Sequence, residues 1–292
     1  MSSESSCGCK GARSCYLCQD SERVRALQRP GQNQDFDFAQ QSAYFFCPAC
    51  AQAISIPSSS QCLSAEEIFA AAAGCCHPQL DAPFSLDSIL VVNDFLTPDL
   101  EQFLVDRIDC EVGAKWELSQ SGRRKQDYGP RVNFKKQKVR LRDFEGMPDY
   151  APLILELMSQ FDLTQNYIPL EMCNLEYRPE RGASIEFHID DTWIWGERLI
   201  SINLLASSIM TLWNPRLHSI LYIPMQRRSL VCLAGGPIRY EWKHAVLRDH
   251  IAERRIALTM REPASRFMPG GDLHSSIGEE MLEKAKAVVR TV

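Results

Sequence analysis

The stretch Ser184-Ile185-Glu186-Phe187-His188-Ile189-Asp190 decides the expected fold and site of this chain. Its alternation of apolar and polar residues predicts a β-strand, in which residues two apart point to the same face. His188 and Asp190 can then reach one metal ion together, while Ile189 packs on the opposite side. A second histidine, His244, follows later in the chain. Two histidines and one carboxylate form the facial triad of non-haem iron(II) sites, which leaves coordination positions open for substrate chemistry.

Two neighbouring residues compete with these ligands. His250 lies in the charged run Arg248-Asp249-His250, which predicts a solvated turn, and Asp191 alternates to the wrong face of the strand. Each part also has an ordinary alternative, because most His-x-Asp triplets and most single histidines are packing or surface residues. The ordered combination of motifs favours His188, Asp190 and His244.

The stretch Arg255-Ile256-Ala257-Leu258-Thr259-Met260-Arg261 predicts another strand. With a period of two, Arg255, Ala257, Thr259 and Arg261 share one face. Two guanidiniums on a buried face are costly unless they are paired. Because arginine binds carboxylates in a bidentate manner, this face predicts a site for a dicarboxylate.

Outward from these motifs, the chain is a series of short strands separated by Pro, Gly and Asn. Strands are predicted at 170–178, 184–190, 199–205, 219–223, 229–234, 245–248 and 254–261, with one more at 88–92. Helices are predicted at 65–73, capped by Ser64, after Thr97 with Pro98 in the first turn, at 149–161 and at 277–289. This pattern favours a β-sandwich or barrel-like fold with flanking helices.

Composition limits the class of protein. The 292 residues are 45% hydrophobic and 24% charged, with a net charge of −5, as expected for a globular protein without a global field that attracts nucleic acid. No apolar run is long enough to span a membrane, and the N-terminus does not resemble a secretory signal. The compartment is therefore expected to be reducing, which disfavours disulfides among the 12 cysteines.

Nine of those cysteines lie in the first 76 residues, so we expect a Cys-rich N-terminal segment over 1–80 and a second domain over 81–292. Cys7, Cys9, Cys15 and Cys18 supply four thiolates, enough for one tetrahedral zinc ion. An iron–sulfur site or a redox-prone tail are the alternatives. Cys47 and Cys50 form a further pair, whereas Cys62, Cys75 and Cys76 have no evident partner. The segment otherwise shows little helical or strand periodicity.

With these motifs in place, residues 85–270 resemble the AlkB-like branch of the Fe(II)- and 2-oxoglutarate-dependent dioxygenases. The iron motif, His244, the two-arginine strand, and the stretches 120–129, 173–182 and 190–198 carry the resemblance, in particular to the homologue-four group. The N-terminal cysteines are similar to that group as well. The resemblance implies a double-stranded β-helix (jelly-roll) core, mainly β with flanking helices.

The resemblance also implies roles for individual residues. His188, Asp190 and His244 would bind Fe(II), and Arg255, Arg261 and Tyr177 would contact 2-oxoglutarate. Asn174 would join them, although Asn174-Leu175-Glu176-Tyr177 places Asn174 and Tyr177 on opposite faces unless a bulge intervenes. The implied reaction consumes O2 and 2-oxoglutarate and removes an N-methyl group as formaldehyde.

A basic segment over 119–142 is similar to the substrate-recognition lid of that family. It holds nine basic side chains opposed only by Asp127: Arg123, Arg124, Lys125, Arg131, Lys135, Lys136, Lys138, Arg140 and Arg142. With Tyr128 and Phe134 it suits a nucleic-acid backbone with stacked bases, an acidic protein surface, or only solvent. Trp193 and Trp195 could cage a methylated ammonium, or simply belong to the core.

The resemblance brings two substrates, methyl-lysine on a protein such as actin and N6-methyladenine in DNA, and the acidic net charge places the protein substrate first. The alternative is a degenerate dioxygenase fold that acts as a non-enzymatic adaptor for protein or nucleic acid. The same reasoning predicts a monomer without membrane contact, located in the cytoplasm and nucleus.

Overall fold

The chain is described here from a computed structural model, which covers residues 7–11, 13–27, 36–56, 62–73, 83–110 and 114–289. Its helices are α1 (Glu22–Leu27), α2 (Ala65–Ala72), α3 (Pro98–Asp109), α4 (Ala151–Met158), α5 (Gly236–Tyr240) and α6 (Glu279–Lys286). Its strands are β1 (Ser42–Cys47), β2 (Gln52–Ile56), β3 (Ile89–Val92), β4 (Glu117–Leu118), β5 (Arg124–Tyr128), β6 (Arg131–Asn133), β7 (Lys138–Arg140), β8 (Glu171–Tyr177), β9 (Ile185–His188), β10 (Trp195–Leu204), β11 (Ser208–Asn214), β12 (Ser219–Met225), β13 (Leu230–Ala234), β14 (Lys243–Val246) and β15 (Arg255–Pro263).

Two large sheets form the body of the molecule. One has six strands in the order β2-β1-β12-β11-β14-β9, and the other has seven in the order β3-β13-β10-β15-β8-β5-β4. Buried residues of both sheets, including Leu175 and Ala257 of one and Leu212 and Leu221 of the other, share a single core cluster. The sheets therefore pack face to face, as in a jelly roll, which confirms the predicted fold class.

Helices cover the outer face of the seven-stranded sheet. On β15, Ile256, Leu258 and Met260 are fully buried in the cluster that also contains Leu104 of α3 and Ile154 of α4. Each such side chain contributes about 1.5–3 kcal/mol of hydrophobic stabilisation. The other residues of β15 face the second sheet, as the two-residue alternation predicts.

The N-terminal part of the chain contributes to the same body. Strand β1 pairs in parallel with β12, and β2 pairs with β1, so both extend the six-stranded sheet. Helix α2, which begins with a capping box formed by Ser64 and Glu67, covers that sheet with Ile68. The expectation of little regular structure in 1–80 is therefore wrong for these residues. The division into domains at residue 80 stays a prediction.

The predicted strands after residue 169 are present, with small shifts at their ends. Strand β11 was not predicted, because all seven of its residues are buried and it shows no alternation. Part of the predicted basic lid is also a sheet strand, β5, which pairs with β8. Cys75 and Cys76 lie outside the described residues. None of the described helices has the length and apolarity required to cross a bilayer.

Candidate active site

Two adjacent strands bring the predicted histidines together. His188 ends β9 and lies directly opposite His244 of β14 in the antiparallel pairing, so that the two rings are 4.2 Å apart between centroids. Asp190 Oδ1 is 3.6 Å from His188 Nε2, and Asp190 Oδ2 is 3.9 Å from His244 Nε2. One ligand atom from each of these residues lies within 4.8 Å of the other two. The three side chains thus converge on one point at the open end between the sheets.

Asp190 reaches this point from a loop, because β9 ends at His188 rather than at the predicted residue 190. Two arginines hold it there, the partly exposed Arg261 and the buried Arg239. Arg261 contacts the carboxylate through Nε, 2.9 Å from Oδ2, and Arg239 donates to the backbone carbonyl of Asp190 over 3.1 Å. Burial alone would raise the pKa of Asp190, but Arg261 and the two histidines outweigh it and hold that pKa well below its usual range. The carboxyl group is therefore ionised.

A hydrogen bond orients one of the two histidines, and burial keeps the other neutral. His188 donates from Nδ1 to the carbonyl oxygen of Glu186 over 2.7 Å, which leaves Nε2 free for a metal ion. Burial, together with the neighbouring His188, lowers the pKa of His244 to about 3. Since metal ions bind the neutral imidazole, the His244 ring is in the correct state at physiological pH.

The competing residues lie elsewhere. His250 is buried at 1% exposure, and its Nε2 is 2.8 Å from the carbonyl of Leu63 and 3.4 Å from Cys62 Sγ. The expectation that it occupies a solvated turn is wrong, because residues just before α2 cover it. Asp191 is exposed and outside the triad.

Arg255 lies at the closed end of the same cavity. The cavity lining includes Tyr177, His188, Asp190, His244, Arg255 and Arg261. Arg255 is 1% exposed, and its guanidinium lies 4.9 Å above the Tyr177 ring. Its Nε donates to Asn203 Oδ1, whereas its Nη1 has no partner among the described residues. Burial lowers the pKa of Arg255, and no acidic side chain contributes to that pKa.

A buried, unpartnered guanidinium nitrogen is costly, and a carboxylate is the group that would satisfy it. The cavity therefore fits a dicarboxylate cosubstrate held at one end by Arg255. Arg261 lies at the mouth of the cavity, where it is ion-paired with Asp190 and with Glu171. The face Arg255-Ala257-Thr259-Arg261 lines the cavity as the sequence predicts.

Asn174 does not join this cavity. Strand β8 pairs with β15 and β5 in continuous register, without a bulge, so Asn174 and Tyr177 point to opposite faces. Asn174 donates instead to Gln126 Oε1 over 2.9 Å and to the Tyr150 hydroxyl over 2.7 Å, on the helix-covered side of the sheet. Its assignment to the cosubstrate is therefore corrected to a structural role.

The first part of the basic lid is also structural. Tyr128 is 5% exposed within the large core cluster, so the prediction that it contacts substrate is wrong. Arg124 pairs with the buried Glu176 at 2.6 Å and lies over Trp116. Arg123 is 5% exposed and lies 5.8 Å from the Tyr177 ring centre. The exposed basic residues belong to the hairpin of β6 and β7 and the loop after it: Arg131, Lys135, Lys136, Lys138, Arg140 and Arg142.

The two tryptophans after the iron motif pack into the protein. Trp195 is 2% exposed in the core cluster, with Arg261 5.7 Å from its ring centre. Trp193 is half-buried against the same cluster. Neither ring lines the cavity that holds the triad. These contacts favour the core alternative, most clearly for Trp195, and weigh against a methyl-ammonium cage at these positions.

Two residues of the site carry little sequence signal. Asn203 anchors Arg255 while its Nδ2 donates to the carbonyls of Ala206, Met225 and Gln226 over 2.6–3.1 Å. Arg239 fixes the loop after the iron motif by donating to the carbonyls of Asp190, Gly196 and Trp195. An isolated polar residue within an apolar strand, as at Asn203, is the one hint that the sequence offers.

At the N-terminus, the four predicted cysteines also come together. The Sγ atoms of Cys7, Cys9, Cys15 and Cys18 all lie within 4.8 Å of one another. Cys47 and Cys50 flank the turn between β1 and β2, away from this cluster.

A face-to-face pair of sheets with two histidines and an aspartate at its open end, and a buried arginine at its closed end, defines a non-haem iron(II) oxygenase. Comparison with known proteins agrees. The chain is 44% identical over 285 residues to a Caenorhabditis elegans protein named DNA N6-methyl adenine demethylase, covering 96% of this chain and 94% of that one. It is 34% identical to the alpha-ketoglutarate-dependent dioxygenases named alkB homolog 4 of Mus musculus and Homo sapiens, covering 96% of this chain and 93% of each.

The chain therefore belongs to the AlkB family of Fe(II)- and 2-oxoglutarate-dependent dioxygenases, and it is an oxidoreductase that carries out oxidative demethylation. No protein-family model matches the chain. Among solved structures, OsALKBH1 is 12% identical, with a TM-score of 0.46, and the match covers 63% of this chain and 99% of that one.

The residues present fit the cofactors of this family. His188, Asp190 and His244 would hold Fe(II), and Arg255 would hold the far carboxylate of 2-oxoglutarate. Bound iron supplies open coordination positions at which O2 and the keto acid are activated. The protein contributes the rest: Arg261 and Arg239 orient Asp190, Asn203 orients Arg255, and the apolar walls keep water away from the reacting groups.

Proposed function

We propose that the chain removes the N-methyl group of N6-methyladenine in DNA. The observation that carries this proposal is the exposed hairpin of β6 and β7, which bears several basic side chains and contributes Arg131 and Phe134 to the wall of a groove. Lys135, Lys136 and Lys138 are exposed without an ion pair to any described residue, and Phe134, which directly precedes them, is 46% exposed. Such a combination suits a phosphate backbone and a stacked base.

The groove extends from this hairpin to Glu171 of β8. It has a volume of about 580 Å³, within the range of ligand sites, and its walls include Arg131 and Phe134 of the hairpin and Glu171 of β8. Glu171 pairs with Arg261, which in turn contacts Asp190. A base taken out of its stack and placed in this groove would therefore approach the triad, as enzymes that modify bases require.

The relative from Caenorhabditis elegans supports the same substrate, because its name states that activity and it is similar over nearly the whole of both chains. From the sequence, the acidic net charge of the chain favours a protein substrate over DNA. The exposed part of the lid outweighs that argument, because binding depends on the local field at the groove rather than on the total charge.

Methyl-lysine on a protein such as actin is the second candidate. Four acidic side chains, Glu117, Asp127, Asp143 and Glu171, line the same groove and would suit a cationic methyl-ammonium group. The burial of Trp195 and the packing of Trp193 weigh against it, since they remove the aromatic cage that this substrate would use.

A formaldehyde-release assay tests the choice. Purified protein with Fe(II), 2-oxoglutarate and ascorbate is given N6-methyladenine oligonucleotides or methyl-lysine peptides of actin sequence, and formaldehyde and succinate are measured. We expect release from the oligonucleotide, abolished in His188→Ala and Asp190→Ala but retained in His274→Ala, which changes a histidine remote from the site. Release from the peptide alone would establish the second candidate.

The non-enzymatic adaptor is the alternative that the same assay addresses. Equal background turnover by wild-type and His188→Ala protein on both substrates, with binding of either one retained, would establish the adaptor. The intact triad supports the enzyme.

We also propose that the protein is a monomer and that it is located in the cytoplasm and nucleus. Light scattering of the purified protein would test the first proposal, and imaging of the tagged chain would test the second.

A further inference from the structure

The four N-terminal cysteines form a compact sulfur cluster. Cys15 Sγ is 3.9 Å from Cys18 Sγ, and all four Sγ atoms lie within 4.8 Å of one another. A tetrahedral zinc ion with Zn–S bonds of about 2.3 Å separates its sulfurs by about 3.8 Å. The observed spacing therefore suits one mononuclear ion, and it is too wide for a disulfide bond.

Two of the four sulfurs, those of Cys9 and Cys18, also receive the hydrogen bonds that thiolates require. The backbone N–H of Ser121 donates to Cys9 Sγ over 3.2 Å, and that of Cys15 donates to Cys18 Sγ over 3.5 Å. Arg23 Nη2 lies 3.3 Å from Cys18 Sγ and adds a positive charge. Four thiolates around a divalent cation leave a net charge of −2, which donors of this kind stabilise.

This cysteine loop, meaning the described residues from 7 to 27, rests on the dioxygenase core through three segments. Cys9 and Gly8 contact residues 119–121, where a Cβ on Gly8 would lie 2.5 Å from the Ser119 carbonyl oxygen. Tyr16 donates its backbone N–H to the Arg181 carbonyl over 3.3 Å, and its ring lies against Gly182. Arg248 stacks on the Tyr16 ring at 4.6 Å.

Each of these segments is attached to a strand of the active site. Residues 119–121 lead into Arg123, whose guanidinium lies over the Tyr177 ring. Arg181 and Gly182 join β8, which carries Tyr177, to β9, which carries His188. Arg248 follows β14, which carries His244. The loop thus spans the ends of the strands that form the cosubstrate cavity.

We propose that Cys7, Cys9, Cys15 and Cys18 bind one structural zinc ion, and that the zinc-loaded loop holds Tyr177 and Arg123 in place at the closed end of the cosubstrate cavity. Zinc is preferred to iron(II) here because thiolate sites bind it more tightly. Loss of the ion would release the loop, since such small sites fold with their metal. The inference goes beyond the proposed function and does not depend on which methylated substrate the enzyme uses.

The test uses the full chain. Metal analysis of the purified protein, before iron is added, is expected to give about one zinc per chain. Cobalt substitution is expected to give the visible absorption of a tetrahedral thiolate site. Cys9→Ser and Cys18→Ser should lose the zinc, whereas Cys110→Ser, which changes an exposed cysteine outside the cluster, should retain it.

The second measurement is the Kd of 2-oxoglutarate for the iron-loaded protein, determined by calorimetry without oxygen and without methylated substrate. We expect Cys9→Ser to raise this Kd by about tenfold or more, while Cys110→Ser leaves it unchanged. Tyr16→Ala keeps all four thiolates but removes the docking contact, so it should retain zinc and still raise the Kd. Circular dichroism and the unfolding midpoint verify that each variant retains its core.

Three outcomes would overturn the proposal. The first is a purified chain that contains no zinc, or that holds iron at the cysteines. The second is the detection of disulfides between these cysteines by mass spectrometry of the native protein. The third is a variant that loses zinc but keeps a 2-oxoglutarate Kd within about twofold of wild type. None of these results depends on demethylation, so failure of the proposed substrate remains separable from failure of the zinc site.

Discussion

The guanidinium of Arg261 contacts both carboxylate oxygens of Asp190, with Nε 2.9 Å from Oδ2 and Nη2 3.2 Å from Oδ1. The same guanidinium pairs with Glu171 on the side of the groove. One side chain therefore orients an iron ligand and also contacts Glu171, which lines the groove where substrate is expected. Because such partners fix the direction of a ligand, their loss typically lowers metal affinity by about 10- to 100-fold.

Arg261→Lys should weaken iron binding. Lysine keeps the positive charge but cannot make the paired contacts of a guanidinium, so Asp190 loses its fixed orientation. We expect the Fe(II) concentration for half-maximal turnover to rise by about 10- to 100-fold. Arg198→Lys is the matched control, because Arg198 pairs with Glu262 in the same manner on neighbouring strands but away from the triad. An unchanged iron requirement in Arg261→Lys would refute the orienting role.

Arg255→Met should impair binding of 2-oxoglutarate without unfolding the protein. The substitution removes two charge-assisted hydrogen bonds to the far carboxylate, and we expect the KM for 2-oxoglutarate to rise by about 100-fold or more. Stability should change little, because Arg255 has no acidic partner among the described residues to lose. Steady-state kinetics and the thermal midpoint test both expectations. A KM equal to that of wild type would exclude Arg255 as the carboxylate partner.

Asn203→Ala should act through Arg255. Loss of the Asn203 amide leaves the Arg255 Nε without an acceptor and allows the Arg255 side chain to turn. The KM for 2-oxoglutarate should therefore rise by about tenfold. Asn214→Ala is the control, since Asn214 is equally buried but accepts hydrogen bonds only from the Arg216 and Leu217 backbone. In the double variant Arg255→Met, Asn203→Ala, the two effects on KM should not add. Additive effects would indicate independent roles.

The Glu176 carboxylate should make stability depend on pH. Burial alone would raise its pKa, but Arg124, Arg254 and Arg178 outweigh it and lower the pKa from 4.5 to about 2. A lowered carboxyl pKa stabilises the folded state above pH 4.5, and that contribution is lost as the pH falls towards 2. It amounts to about 3 kcal/mol at most. Urea unfolding between pH 3 and pH 7 should show this loss in wild type and a weaker one in Glu176→Gln.

The basic hairpin should govern the salt dependence on DNA. Replacement of Lys135, Lys136 and Lys138 by alanine removes up to three phosphate contacts, so the slope of log affinity against log salt should decrease by about two. Binding of 2-oxoglutarate should be unaffected, because these residues are remote from the cavity. Fluorescence anisotropy of a labelled oligonucleotide at several salt concentrations measures the slope. An unchanged slope would show that DNA binds elsewhere.

Much of the site was predictable because it depends on local geometry. The two-residue period of a strand placed Arg255 and Arg261 on one face and separated Asn174 from Tyr177, and both results hold in the structure. The combination of two histidines and an aspartate is typical of metal sites, so these residue types indicated the metal. The capping residues Ser64 and Thr97 marked helix starts correctly for the same reason, since each acts within four residues.

The errors concern residues whose environment is set by distant parts of the chain. The sequence does not distinguish a tryptophan of a substrate cage from one of the core, and only the packing of α-helices and sheet decided that Trp195 and Tyr128 are buried. His250 was assigned to solvent from its charged neighbours, but residues nearly two hundred positions earlier cover it.

By itself, the sequence determined the strand alternation, the ligand types and the class of chemistry, because these follow from neighbouring residues. The tertiary structure alone decided three further relationships, each of which joins segments far apart in the chain. It placed His188 opposite His244, supported Arg255 with Asn203, and set the cysteine loop against the strand ends. Such contacts arise only when the sheets pack, since the favourable burial of apolar faces fixes which distant strands become neighbours.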